Sequence, residues 1–120
     1  MKRILFLLGV TISALSIADE AIEIDVMPGY ELRYNDLISM KNGTLQRDFD
    51  FVYRDKKDEV WEYYLNADFL YDCKVTTDFD YPYFDCKVKE AGKIRPKGSV
   101  FRVSAKKSGT YVIASYFLNK

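Results

Sequence analysis

Two short segments of this chain repeat one pattern, Tyr71-Asp72-Cys73-Lys74-Val75 and Phe84-Asp85-Cys86-Lys87-Val88, and between them they hold both of its cysteines. Setting Cys73 opposite Cys86 in an antiparallel pair places Val75 against Phe84 and Tyr71 against Val88 on one face. The other face then carries Asp72 against Lys87 and Lys74 against Asp85, two pairs of opposite charge. Each cross-strand pair is worth only ~0.2–1 kcal/mol, yet all four agree with a bridge at Cys73 and Cys86. The chain has no His, and zinc sites need close Cys or His pairs, so a disulfide is expected rather than a metal knuckle. A bond closing a loop of this length contributes about 3 kcal/mol through the unfolded state.

A disulfide implies an oxidising compartment, and the amino end agrees. Lys2 and Arg3 precede the apolar run Ile4 to Ala14, which is interrupted by Gly9, Thr11 and Ser13. That run falls short of the ~20 apolar residues a membrane span needs. With small residues at Ser16 and Ala18, it reads as a secretory signal peptide over residues 1–18, cut between Ala18 and Asp19. The expected organisation is that signal followed by a single β-rich domain over residues 19–120, with no transmembrane segment in the mature chain. The protein is expected to be exported, to the periplasm in a Gram-negative cell and otherwise secreted.

The rest of the mature chain alternates with a period of two. Leu32, Tyr34, Ile38 and Met40 fall on one side of the first run, and Leu45, Phe49, Phe51 and Tyr53 on one side of the next, with Asp36 and Arg47 as exceptions. Asn42-Gly43 between them predicts a two-residue type I′ turn that sets Tyr34 opposite Phe51. Val60 to Leu65 reads as a strand, paired through Asn66-Ala67-Asp68 with Phe69 to Thr76; the latter pairs with Tyr83 to Lys89. Val100 to Ala105 and Thr110 to Leu118 form a last pair around Gly109, and Glu23 to Val26 makes a weak first strand. Seven to eight short strands without a helix predict an all-β fold, a small antiparallel β-sandwich or barrel with one disulfide-pinned hairpin.

Charge is uneven along the chain. Asp48 to Asp85 holds eleven acidic and four basic side chains, whereas Cys86 to Lys120 holds nine basic and one acidic. Acidic and basic strands pairing within the sheet account for this more simply than a basic face directed at lipid, glycan or nucleic acid.

Few chemistries remain. Without His or a free thiol, Ser-His and Cys-His nucleophile pairs are absent, and carboxylate catalysis by two of Asp78, Asp80 and Asp85 needs a deeper cleft than a domain this small provides. Asp48 and Asp50 alternate outward on a strand instead of wrapping an ion, so no metal and no cofactor is expected. The chain is read as a non-enzyme. The loop Thr77 to Pro82 at the tip of the pinned hairpin offers Phe79 and Tyr81 flanked by Asp78 and Asp80, aromatic anchors on a rigid support. The expected function is an exported binding or inhibitory module acting by protein contact through Asp78, Phe79, Asp80 and Tyr81. Binding of glycan or cell envelope through exposed Tyr and Trp is the alternative, and no nucleic-acid partner is expected. Phe79 and Tyr81 folding back as a lid over the sheet would remove that surface.

Overall fold

The computed structural model describes residues 22–119. The expected signal peptide and its cleavage point after Ala18 lie outside the described residues. Six strands and one helix follow in the order β1 (Glu31–Ser39), β2 (Leu45–Tyr53), α1 (Lys57–Leu65), β3 (Leu70–Thr76), β4 (Tyr83–Val88), β5 (Ile94–Lys106) and β6 (Gly109–Leu118). All the strands join one antiparallel sheet, ordered β1-β2-β6-β5-β4-β3.

The all-β antiparallel class and the disulfide-pinned hairpin are borne out. Cys73 and Cys86 are bonded, with Cα atoms 4.1 Å apart. The second layer, however, is not a further sheet. One face of the sheet is covered by α1 and the segment Ile22 to Tyr30, giving a sandwich-like arrangement with a large aromatic core. Phe49, Phe51, Phe84, Phe101, Val103, Val112 and Tyr116 point into it and are at most 1% exposed. Tyr30 stacks on Phe51 at 4.2 Å, and Trp61 meets Phe84 edge-on at 4.8 Å.

Two expected strands are corrected. Val60 to Leu65 is helical: its buried residues are Val60 and Tyr64, four apart, which is the helical period and not the strand period. Asp58 and Glu59 occupy the first turn, where the helix dipole favours negative charge. The Asn66 side chain donates to the Glu62 carbonyl at 2.9 Å and closes the last turn. The aromatic run resembled a strand because Trp and Tyr favour sheets; tertiary packing overrode that preference. Glu23 to Val26 is an extended strap lying outside the sheet, with Ile24 buried in the core.

Registers differ in two places. In the first hairpin Ser39 pairs with Leu45 and Tyr34 with Asp50, one residue off the expected pairing. Met40 donates its N–H to the Thr44 carbonyl, leaving three residues in the loop, and Gly43 takes the positive φ of 88° such a loop requires. A slip of one residue exchanges the faces of a strand, so Tyr34 and Ile38 point away from the core. In the pinned hairpin, Lys74 pairs with Asp85 and Val75 with Phe84 as expected. Beyond the cysteine, a bulge with Asp72 at φ 53° brings Tyr71 opposite Lys87. The expected pairs Tyr71 with Val88 and Asp72 with Lys87 do not form.

The C-terminal hairpin is tighter and longer than read. Its loop is Lys107-Ser108, because Lys106 pairs with Gly109. A Cβ on Gly109 would lie 2.8 Å from Val52 and 3.0 Å from the Tyr53 carbonyl oxygen, so the close approach of β2 requires glycine. Strand β5 begins at Ile94 and is interrupted between Arg95 and Val100. There the Ser99 hydroxyl accepts from the Val88 N–H and donates to the Pro96 carbonyl, satisfying backbone that the interruption exposes.

Candidate functional site

The loop Thr77 to Pro82 leaves the end of β3 and returns to β4, and the Pro82 carbonyl accepts the Ala105 N–H at 2.9 Å, fastening its far end to β5. The four residues singled out from the sequence are all in this loop. Asp78, Phe79 and Asp80 are exposed and Tyr81 is half-buried. Phe79 is 65% exposed, the largest value among the large apolar side chains of the described residues.

The two aromatics behave differently. Phe79 lies nearly parallel to Tyr83, with centroids 5.8 Å apart. Tyr83 in turn faces the Arg102 guanidinium at 4.3 Å. Asp85 holds Arg102 by two hydrogen bonds of 2.7 and 2.9 Å, a bidentate pair that raises the Arg102 pKa. Phe79 therefore rests on a column whose base is fixed by a charge pair, while one face of its own ring remains open. Tyr81 turns toward the sheet and covers the Lys106 ammonium at 4.9 Å, and Lys106 is also 4.9 Å from the Tyr111 ring. The Arg33 guanidinium also lies over the Tyr111 ring, at 5.2 Å.

Tyr83, Arg102, Lys106 and Tyr111 alternate with core residues along β4, β5 and β6, so they share the sheet face opposite the core. Arg33, in the irregular part of β1, joins them, 3.9 Å from Asp50. The Tyr111 hydroxyl exchanges a hydrogen bond with Ser108, and that bond together with nearby Arg54, Arg33 and Lys106 lowers its pKa. The basic C-terminal strands thus meet acidic residues and aromatic rings within the sheet; Lys74 beside Asp85 and Arg102 bound to Asp85 account for part of the charge asymmetry.

Sequence reading missed Tyr83, Arg102, Lys106 and Tyr111 as companions of the tip. Their alternation was visible, but only the register of β5 against β6 and the return of the loop bring them together. Trp61, expected as an exposed glycan contact, is half-buried against Phe84. Among the described residues no group of three or more Asp, Glu or Cys side chains is placed to hold a metal ion. No helix among them is long and apolar enough to cross a membrane. Comparison with protein-family models, with curated proteins and with solved structures gives no significant match.

Proposed function

We propose that this chain is an exported binding module that engages a protein partner through the loop Thr77 to Pro82, with Phe79 as its anchor. The observation that carries this reading is the open ring of Phe79, the most exposed large apolar side chain among the described residues. It sits at the end of a cross-linked hairpin, and its stacking partner Tyr83 is itself held on the ion-paired Arg102. Exposed aromatics on such a support lose little entropy when they bind. Asp78 and Asp80 on either side would steer a partner with a basic recess around an apolar pocket. Inhibition of that partner is the simplest consequence of filling such a recess.

The disulfide between strands supports the export part of this reading, since such a bond suits an oxidising compartment. Intact mass of protein taken from that compartment should show a chain starting at Asp19 with Cys73 and Cys86 bonded; a soluble species retaining Met1 would refute the leader.

The function is tested by affinity capture with the parent and with Phe79→Ala. Phe79 is outside the core, so the variant should keep the parent's unfolding temperature and lose the captured protein. Capture at parent strength would move the contact elsewhere. Release by soluble oligosaccharide instead of by competing protein would transfer the tip to glycan recognition.

A further inference from the structure

On the sheet face opposite α1 the charges are sorted from one edge to the other. Tyr34, Asp50, Ile113, Arg102, Asp85 and Lys74 are successive cross-strand partners, so one row of side chains crosses all six strands. In the next row Asp36 partners Asp48, Asp48 partners Ser115 and Ser115 partners Val100. Lys87 stands one residue past the pair Cys86 and Phe101, level with Val100. Near the middle of the face Ile113 is 45% and Val100 50% exposed. Arg33 answers Asp50 and Arg102 answers Asp85 within the sheet. What remains is acidic on β1 and β2, Asp36 and Asp48, and basic on β3 and β4, Lys74 and Lys87. None of these four forms a salt bridge among the described residues.

Asp36 directly opposite Asp48 is a like-charge cross-strand pair, which costs stability. Tyr34 and Gln46 donate hydrogen bonds to them, which leaves both charges in place. A face that is acidic on one side, apolar in the middle and basic on the other is its own complement. We infer that two copies of this chain pair through this face about a two-fold axis parallel to the strands, running between β6 and β5. That axis lays β2 over the partner's β4 and Asp48 over the partner's Lys87, with Ile113 and Val100 in the centre. An isologous contact makes each such pair twice. An axis across the strands would set acid on acid. Sheets packed face to face keep their strands within about 30° and stand about 10 Å apart, a gap that a Lys and an Asp side chain span together. Six strands about 4.8 Å apart and four outward rows give a footprint of about 25 by 20 Å, roughly 1,000 Å² over both copies, the lower end of specific interfaces. A foreign partner would need the same pattern in reverse, whereas a second copy already carries it. The inference does not rest on the Phe79 reading, and its test uses no residue of that loop.

The test is sedimentation equilibrium of the disulfide-bonded chain across a range of protein concentrations. A reversible monomer–dimer equilibrium is expected, weakened by added salt as the charge pairs are screened. Asp48→Lys and Lys87→Glu should each weaken dimerisation by about tenfold or more, the cost of setting like charges together. Both side chains face away from the core, so each variant should keep the parent's near-ultraviolet circular dichroism. An equimolar mixture of the two variants should recover a one-to-one dimer of parent affinity, because each altered side chain then meets its complement on the other chain. Loss of folding cannot produce that recovery. A chain still monomeric at about 1 mM, the weak end of specific association, would overturn the assignment and leave the face to a different protein. A dimer whose affinity neither variant changes, or a mixture that stays monomeric, would overturn it as well.

Discussion

The phenolic oxygens of Tyr53 and Tyr64 lie 2.6 Å apart in the core, and both reach the backbone of Met27. Tyr53 donates its one hydrogen to the Met27 carbonyl at 2.6 Å. Tyr64 must then donate to Tyr53, and it accepts the Met27 N–H at 3.0 Å. This closed ring of three hydrogen bonds joins the sheet, the helix and the strap that precedes β1.

Each member of the ring completes another's bonding, so truncation leaves a buried group unpaired. Tyr64→Phe should cost about 1–3 kcal/mol, measured by urea unfolding. A loss below a few tenths of a kcal/mol would show that water enters the ring.

The same ring predicts alkaline sensitivity. Burial pushes the Tyr64 hydroxyl up to about 12 and raises Tyr53 further, whereas an unfolded Tyr titrates near 10. The folded state holds these protons where the unfolded state releases them, so stability falls as pH rises. It should be level with respect to these groups below about pH 9 and decline between about pH 10 and 12. Unfolding free energies across that window test this, and Tyr64→Phe should flatten the slope.

Arg47, 3% exposed, points into the core side of β2. Its guanidinium donates to both carboxylate oxygens of Glu23 at 3.0 and 3.2 Å and to the Asn35 side chain at 3.0 Å. The Tyr116 hydroxyl donates to the same carboxylate at 2.8 Å. Arg47 is buried whereas Glu23 sits exposed at the rim, so Glu23→Ala leaves the Arg47 charge without its carboxylate and should destabilise by about 1–3 kcal/mol. Arg47→Met with Glu23→Met should lose far less, because no charge is then left buried. Equal losses in the two variants would refute this account.

Replacing Cys73 and Cys86 together by Ser should lower stability by about 2–5 kcal/mol. Most of that arises in the unfolded chain, so the chemical shifts of Phe79 and Tyr83 should change little. A collapse of their stacking would show that the bond also shapes the tip.

Several elements were legible in the residues, because their causes are local. The repeat around Cys73 and Cys86 specified both the bond and the pairing of Lys74 with Asp85 and Val75 with Phe84. Gly43 and Gly109 marked two hairpin turns, and period-two alternation identified β2 with the correct core face. Other features could not be read one segment at a time. Arg47 interrupted an apolar face and looked like an exception; partners remote in sequence, Glu23 twenty-four residues earlier and Asn35 on β1, let it be buried.

The sequence by itself determined the antiparallel class, the disulfide, three of the four expected hairpins and the position of an aromatic loop at a pinned tip. Each depends on neighbours within a few residues or on one covalent bond. The tertiary structure decided that Val60 to Leu65 is a helix, because burying Val60 and Tyr64 over Phe101 outweighs a weak strand preference of order tenths of a kcal/mol per residue. It also decided that Tyr34 faces away from the core and that Tyr81 lies over Lys106. Those depend on register and on contacts across many residues of chain, where a shift of one position exchanges the two faces of a strand.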